Sequence, residues 1–169
     1  MEMNEEMCIE VDEHNKKIGL RSRSEFKSGK YIHRSAHLLL FNSKREIVLQ
    51  KRAPDKRVYP NQYTYSVSGA VANETPRECI EREMQEEIGI SVPCTEILTY
   101  KNFDEIEKTF NTLFEATSDE ELKPDAREMT KLKWITLEEL RDDLQKNPEA
   151  YTPSMHNGMK AYFARYCNN

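Results

Sequence analysis

Three glutamates near the middle of the chain have a spacing that could bind a metal ion. Glu83, Glu86 and Glu87 stand at i, i+3 and i+4, so their carboxylates project from one side of a helix. Like charges this close destabilise a helix by about 0.2–0.5 kcal/mol per pair. A hard cation such as Mg²⁺ or Mn²⁺ removes the repulsion and also accepts phosphate oxygens. The spacing therefore indicates metal-dependent polyphosphate chemistry, although a solvated acidic face fits it too.

The helix that carries these glutamates has recognisable ends. Residues 75–78 read Thr-Pro-Arg-Glu, a capping box with proline at the first helical position. Ile80, Met84 and Ile88 then recur every four residues, and Gly89 favours a helix stop. We expect the apolar stripe to pack on a core while the carboxylates, about a quarter turn away, face a site.

A longer pattern surrounds the helix. Residues 69–90 read GAVANETPRECIEREMQEEIGI, which resembles the Nudix box, G-x5-E-x7-R-E-U-x-E-E-x-G-U with U an aliphatic residue. The resemblance implies that the three glutamates are metal ligands and that Arg82 pairs with Glu74 to hold the box together. The first glycine of the pattern falls on Ser68, and Gly69 comes one residue late.

The resemblance also implies an activity, the hydrolysis of a diphosphate linkage in a nucleoside diphosphate derivative or another organic diphosphate. Glu86 and Glu87 are then the expected catalytic residues of the box. In many Nudix enzymes a glutamate outside the box completes the site, and Glu128 is our candidate. We place Glu128 on the strand that runs into Trp134, where it could equally be an exposed charge at a loop edge.

Further positions resemble one branch of the family, the branch that includes isopentenyl-diphosphate isomerase. They are Val11-Asp12-Glu13, His33-Arg34-x-x-His37, Leu49-Gln50-x-Arg52, Pro60 and Trp134. This resemblance implies that Arg52 and Lys56 contact the diphosphate and that His33 binds a second metal. If the resemblance is set aside, Arg52 and Lys56 are interpreted as part of a basic surface loop. His33 and His37 are then interpreted as buried, hydrogen-bonded histidines.

The isomerase pattern fails at three positions. The catalytic cysteine of the isomerase falls on Ser68, a metal-binding histidine on Ala70, and one of two paired glutamates on Thr109, while Glu107 keeps the other. An isomerase needs an acid and a base on opposite faces of the carbon skeleton, and one of them is missing here. Hydrolysis is therefore the preferred interpretation. An isomerase-like enzyme and a non-catalytic nucleotide-binding module stay open as alternatives. The sequence does not identify the substrate, because the loops that determine specificity have no recognisable motif.

The rest of the sequence predicts the fold. Strands are expected at 31–41, 47–52, 63–71 (broken by Gly69), 90–101, 107–117 and 132–135, with the first two forming a hairpin over 36–52. A helix from Thr136 to about Gln145, a linker over 148–153 and a helix over 154–166 should follow. Strands on both sides of one central helix predict an α/β protein, which the resemblance specifies as a Nudix-type α/β/α sandwich with a mixed central sheet.

We expect one domain over residues 1–169. Residues 1–30 read as an N-terminal extension with an edge strand near Cys8, and residues 150–169 as a C-terminal helix. The net charge of −5 argues against binding to a nucleic-acid duplex, and no apolar run is long enough for a membrane helix. The four scattered cysteines and the acidic N-terminus favour the cytoplasm. The expected partner is a small-molecule diphosphate, and a homodimer is left open.

Overall fold

The computed structural model describes residues 5–167 and contains nine strands and four helices within them. The strands are β1 (Met7–Val11), β2 (Lys17–Ser22), β3 (Ile32–Phe41), β4 (Glu46–Arg52), β5 (Tyr63–Thr64), β6 (Val67–Ala70), β7 (Thr95–Phe103), β8 (Lys108–Thr117) and β9 (Met129–Thr136). The helices are α1 (Arg23–Phe26), α2 (Pro76–Ile88), α3 (Leu137–Lys146) and α4 (Pro153–Tyr166), with a 3₁₀ turn at Pro148–Ala150.

The sheet is mixed and is organised around the ten-residue strand β3. This strand runs parallel to β8 over its whole length and antiparallel to β1 and β6. It meets β4 through one residue pair, Phe41 with Ile47, so the predicted 36–52 hairpin is paired only next to its turn. Strand β9 adds to β4, and β7 adds to β8. This arrangement confirms the predicted α/β fold with a mixed central sheet.

Helices cover both faces of the sheet, because alternate residues of the central strands point to opposite faces. On one face α2 buries Ile80, Met84 and Ile88 against Leu38 and Leu40 of β3. On the other face α3 and α4 pack on a second apolar cluster, which includes Leu39, Tyr65, Leu140, Met155 and Met159. The molecule is therefore an α/β/α sandwich. No helix within residues 5–167 is long and apolar enough to cross a membrane.

Helix α2 has the predicted ends. The Thr75 hydroxyl accepts a hydrogen bond from the Glu78 amide, and the Glu78 carboxylate accepts one from the Thr75 amide. At the other end Gly89 has φ of 70°, a left-handed conformation that glycine adopts without steric cost, and its amide donates to the Gln85 carbonyl. Local sequence signals therefore define both ends of this helix.

The N-terminal region differs from our expectation. Strand β1, which we predicted as an edge strand, lies between β2 and β3, and the edge of the sheet is β2. We missed β2 because residues 17–22 alternate weakly and remain largely exposed. We also missed α1, a single turn that is too short to show a helical period. Residues 1–4 lie outside the described part of the chain.

Several boundaries also needed correction. The strand predicted over 63–71 is interrupted after Thr64 and not at Gly69, which lies inside β6. The short strand predicted over 132–135 begins at Met129, and the expected 148–153 linker contains the 3₁₀ turn. The C-terminal helix spans Pro153–Tyr166 and not 150–169, because Pro153 occupies its first turn and Thr152 caps it, and residues 168–169 are not described.

Candidate active site

The three box glutamates of α2 differ in their exposure. Glu87 is only 3% exposed, Glu83 is half-buried and Glu86 projects into solvent. The Glu87 Oε1 atom accepts a hydrogen bond of 2.8 Å from the side-chain amide of Gln50 on β4. Its second oxygen, Oε2, is buried and has no hydrogen-bond partner within residues 5–167. An unpaired buried carboxylate oxygen is costly, which favours a ligand beside Glu87.

The surroundings of Glu87 work against its negative charge. Burial raises the pKa of Glu87 well above its ordinary value, and the neighbouring Glu83 and Glu128 carboxylates add to the effect. Burial likewise raises the pKa of Glu83. A divalent cation between such carboxylates would restore their ionised form, because opposite charge favours the charged state.

Arg82 holds the box together. Its guanidinium donates to the Glu74 carboxylate at 2.5 and 3.3 Å, so the predicted contact between Arg82 and Glu74 is present in the structure. It also donates to Glu83 Oε1 at 2.8 Å and to Glu86 Oε2 at 3.3 Å. One cation therefore links three carboxylates of the box, and the Glu83 side chain that it holds lies against Gly69.

Gly69 is needed for close packing and not for an unusual backbone angle. The glycines with positive φ in the described chain are Gly29 and Gly89, and Gly69 is not among them. A Cβ atom on Gly69 would lie 2.5 Å from Glu83 Cγ and 2.8 Å from Glu83 Oε1. The glycine after Ser68 thus gives the Glu83 carboxylate room to lie against strand β6.

These residues fit a divalent metal, although residues 5–167 contain no cluster of three His, Cys, Asp or Glu side chains already closed around a metal position. Two of the carboxylates, Glu83 and Glu86, are turned towards Arg82. The free Oε2 atom of Glu87 supplies a buried oxygen donor, and carboxylate oxygens are the ligands that Mg²⁺ and Mn²⁺ prefer. Metal binding would require Glu83 and Glu86 to rotate away from Arg82 in part.

Basic residues line the same pocket as Glu87. Arg52 is mostly buried and its Nε atom donates to the Val58 carbonyl at 2.9 Å, which fixes the guanidinium in the pocket wall. Lys56 forms a 2.5 Å ion pair with Glu128. The structure therefore brings together four of the residues that the sequence singled out: Arg52, Lys56, Glu87 and Glu128.

Three further cations line this wall, and two of them, Arg23 and Lys27, were not predicted from the sequence. Arg23 and Lys27 come from α1 and the residue after it, and Arg57 follows Lys56. Burial lowers the pKa of Lys27, and the charges of Arg23, Arg57, Lys56 and Arg52 lower it further. Mutual repulsion among five cations that line one pocket indicates an anionic ligand with more than one negative charge.

Glu128 does not lie on a strand, contrary to our expectation. It occupies the turn before β9, where its amide donates to the Asp125 carbonyl. Its own carbonyl accepts a hydrogen bond from the Ala53 amide, so the turn is fastened to the loop that carries Lys56. The sequence correctly predicted that Glu128 lies next to the strand that contains Trp134. It did not show that this strand begins only at Met129, because the pairing of β9 with β4 determines that boundary.

His33, the candidate ligand of a second metal, lines the same pocket and lies beside Glu107 and Phe26. It is buried, and its ring packs against Phe26 in a tilted arrangement with a centroid separation of 4.5 Å. Its Nε2 atom lies 3.3 Å from Glu107 Oε1, although neither ring nitrogen makes a well-aligned hydrogen bond within residues 5–167. Burial opposes ionisation of Glu107, yet the contact with His33 and the charges of further neighbours, Arg52 among them, together lower the pKa of that carboxyl. His33 is thus paired with one carboxylate, and Ala70 and Thr109 offer it no further ligand of the isomerase type.

His37 belongs to a buried polar network that includes a residue not singled out by the sequence. Its Nδ1 atom lies 2.8 Å from Ser68 Oγ, and its Nε2 atom lies 2.9 Å from the side-chain oxygen of Asn111. Asn111 is on β8, which pairs with β3 in parallel across the whole strand. A lone asparagine in a strand gives no signal of such a contact, because only the register of the sheet brings the three residues together.

Comparison with known proteins places the chain in a family. A family model described as the NUDIX domain matches residues 31–155. A prenyl-diphosphate phosphatase from Methanosarcina mazei is 42% identical over 165 residues, which cover 95% of this chain and 97% of that protein. An isopentenyl-diphosphate Delta-isomerase from Serratia proteamaculans is 27% identical and covers 88% of this chain and 86% of its own length.

Solved structures agree on the fold. The protein DR0079 from Deinococcus radiodurans superposes with a TM-score of 0.77 at 24% identity and covers 97% of this chain and 100% of its own. A MutT protein from Methanosarcina mazei gives a TM-score of 0.68 at 20% identity and covers 82% of this chain and 96% of its own. The structures show the fold alone, whereas the family match over residues 31–155 and the 42% identity to the phosphatase establish that the chain belongs to the Nudix hydrolase family.

Proposed function

We propose that this Nudix hydrolase cleaves the phosphoanhydride bond of a short organic diphosphate, with prenyl diphosphates as the first class to test. The proposal depends above all on one observation: the Oε2 atom of Glu87 is buried without a hydrogen-bond partner in the described part of the chain, in a pocket that also holds Arg52 and Lys56. The 42% identity to a prenyl-diphosphate phosphatase across 95% of the chain supports the choice of substrate class.

The binding roles follow from charge. Glu83, Glu86 and Glu87 would hold a divalent metal, Mg²⁺ or Mn²⁺, which when bound supplies positive charge to phosphate oxygens and acidifies a water molecule. Arg52 and Lys56 would then bind the diphosphate from the opposite wall. Arginine can bond two phosphate oxygens at once, whereas lysine acts as a point charge. Without these cations an acidic site in a protein of charge −5 would repel its substrate.

The reaction then needs a base and a leaving group. The water oxygen bonds to the terminal phosphorus, the bridging phosphorus–oxygen bond breaks, and the organic monophosphate leaves with the electron pair while inorganic phosphate is released. A carboxylate accepts the proton from water. Glu86, Glu87 and Glu128 are the candidates, and Glu128 can serve only after Lys56 turns from it towards the substrate.

The isomerase alternative has less support. Ser68 is a poor proton donor at neutral pH compared with the cysteine that it replaces, and its hydroxyl is hydrogen-bonded to His37. Thr109 is buried beside the Asn102 carbonyl and supplies no carboxylate. A non-catalytic binding module is also less well supported, because all the carboxylates of the box are present.

A substrate screen tests the proposed function. The purified protein is incubated with Mg²⁺ or Mn²⁺ and with dimethylallyl diphosphate, geranyl diphosphate, ADP or ADP-ribose, and phosphate and organic products are measured. We expect release of inorganic phosphate and a prenyl monophosphate, and none with excess EDTA. Turnover that is undiminished in EDTA, or isopentenyl diphosphate as the product, would refute the proposal. Calorimetric binding without turnover would favour the binding module.

Cellular location and assembly remain part of the proposal. We place the protein in the cytoplasm, which the free state of Cys8, Cys79, Cys94 and Cys167 supports because oxidising compartments favour disulfides. Fractionation of cells followed by immunoblotting tests the location. Light scattering of the purified protein tests the homodimer that the sequence left open.

A further inference from the structure

The pocket has a second end, on the opposite face of the sheet from the box carboxylates. A side chain at Gly69 would point towards Glu83 on α2, so its neighbour Ser68 points to the other face. There the Ser68 hydroxyl lies 2.8 Å from His37 Nδ1, and Ser154 of α4 lies beside the same imidazole. Ser68, His37, Asn111 and Ser154 line the same pocket as Glu87, so one ligand can contact both ends.

The direction of each hydrogen bond at this end follows from Asn111. Its side-chain amide nitrogen donates to the Thr109 carbonyl at 3.3 Å and the Tyr100 carbonyl at 3.4 Å. Its side-chain oxygen therefore faces His37 Nε2, at 2.9 Å, and an amide oxygen can only accept. The hydrogen of His37 must then be on Nε2.

A neutral His37 with its hydrogen on Nε2 leaves Nδ1 as an acceptor. Burial lowers the pKa of His37 to about 4, with the Asn111 contact and Glu107 opposing and Arg52 reinforcing this shift, so the ring is neutral at physiological pH. The Ser68 hydroxyl must donate its hydrogen to Nδ1. Its remaining lone pairs face the pocket, and they accept hydrogen bonds but donate none.

Two other hydroxyl groups at this end, those of Thr152 and Ser154, have hydrogen-bond partners. Thr152 Oγ1 lies 3.3 Å from Thr64 Oγ1, and Ser154 Oγ lies 2.8 Å from the Tyr100 hydroxyl. In the described chain, none of the five cations that line the pocket donates a hydrogen bond to Ser68 or His37. Ser68 therefore presents an acceptor to this end and is bonded to no cation, an arrangement that disfavours a phosphate group, whose oxygens are also acceptors.

We propose that Ser68, held by His37 and Asn111, is a specificity-determining residue that excludes phosphate from this end of the pocket and reserves it for an uncharged organic group. The inference rests on the proposed function, because it assumes that the diphosphate occupies the end with Glu87 and Arg52. Ser68 thereby sets the orientation of the substrate. It selects diphosphate monoesters of neutral groups against compounds that carry a third phosphate.

Two probes of similar size test this selectivity. Dimethylallyl diphosphate and inorganic triphosphate both carry a diphosphate, and they differ in whether a five-carbon group or a phosphate extends from it. We expect the parent protein to prefer dimethylallyl diphosphate in kcat/KM. Ser68→Ala should reduce that preference about fivefold, the effect of one neutral hydrogen-bonding contact, mainly through a lower KM for triphosphate.

Conservative and control variants separate selectivity from general damage. Ser68→Thr keeps a hydroxyl within reach of His37 and should retain the parent preference, and Ser43→Ala, in an exposed hairpin turn, should change nothing. A ratio that is unchanged in Ser68→Ala, or changed equally in Ser68→Thr, would overturn the proposal. Should the parent protein hydrolyse neither probe, the proposed function fails, and the ratio of the two dissociation constants from calorimetry then decides the role of Ser68.

A spectroscopic measurement tests the network without activity. Nitrogen–proton correlation spectra of the imidazole rings, assigned with His37→Gln, report which ring nitrogen carries the hydrogen. We expect the hydrogen of His37 on Nε2 at neutral pH. A hydrogen on Nδ1, or a doubly protonated ring, would make Ser68 a donor towards the pocket and would contradict the inference.

Discussion

The Glu83 carboxylate lies directly against the backbone of Gly69. The position that a Cβ atom would take on Gly69 is 2.5 Å from Glu83 Cγ, and real Cβ atoms do not approach other atoms so closely. The glycine of the box and one of its candidate metal ligands are therefore sterically coupled, although they are fourteen positions apart. The coupling explains why a glycine is needed inside strand β6, where it otherwise weakens a strand.

Gly69→Ala should displace the Glu83 carboxylate and weaken metal binding. A displacement of this kind at a positioning residue costs on the order of 10²-fold in activity. We expect kcat to fall by about that factor and the Mg²⁺ concentration for half-maximal activity to rise. Gly19→Ala is the matched control, because its added methyl group would meet no atom within 4 Å from the described residues beyond its own chain neighbours. Equal Mg²⁺ dependence in Gly69→Ala and the parent protein would show that Glu83 is not a ligand.

Arg82→Met should destabilise the protein, and Mg²⁺ should partly reverse the loss. The substitution leaves Glu74, Glu83 and Glu86 without their shared cation, and hydrogen bonds to a charged group contribute about 1.5–3 kcal/mol. Because Arg82 is about one-third exposed, we expect the lower part of this range, a decrease in Tm of about 2–6 °C. Thermal unfolding with and without Mg²⁺ measures it.

Arg77→Met is the control for this experiment. Arg77 is on the same helix but donates to the Cys94 carbonyl, away from the box carboxylates. Its substitution should produce no decrease in Tm that responds to Mg²⁺. If Arg82→Met and the parent protein unfold at the same temperature in EDTA, the guanidinium does not hold the box together.

Arg52→Ala should impair substrate binding while the fold stays intact. A charge-assisted hydrogen bond to phosphate contributes about 1.5–3 kcal/mol, so kcat/KM should fall about 10–150-fold, mainly through KM. Lys56→Ala should have a smaller effect, because lysine acts as a point charge and its loss also frees Glu128. Steady-state kinetics and circular dichroism measure both, with Lys44→Ala in an exposed turn as control. Unchanged kcat/KM in Arg52→Ala and Lys56→Ala would place the diphosphate elsewhere.

The parts of the site that the sequence predicted depend on local signals. The ends of α2 follow from the Thr75 capping box and Gly89, and the shared face of its glutamates follows from helical geometry alone. The contact between Arg82 and Glu74 was implied by the family pattern, and its atoms are in contact as expected. Each of these features lies within one short segment, where spacing determines which side chains meet.

The parts that the sequence missed depend on distant pairing. Ser68 and Asn111 flank His37 because β6 and β8 both pair with β3, a relationship that no local pattern encodes. Likewise, Arg23 and Lys27 enter the pocket wall through a single helical turn, which is shorter than the period that would reveal it. Glu128 was predicted on a strand but lies in a turn for the same reason, since the pairing of β9 with β4 determines where that strand begins.

The most direct measurement is phosphate release from dimethylallyl diphosphate by Glu87→Gln in saturating Mg²⁺. The substitution preserves the shape of the side chain and the hydrogen bond with Gln50 but removes the charge that would hold the metal. Glu81→Gln, an exposed position on the same helix, is the control and should behave as the parent protein. We predict that kcat of Glu87→Gln falls at least ~10³-fold, about 4 kcal/mol of activation free energy, with an unchanged circular dichroism spectrum. A kcat close to that of the parent protein would contradict the assignment of Glu87 as a metal ligand.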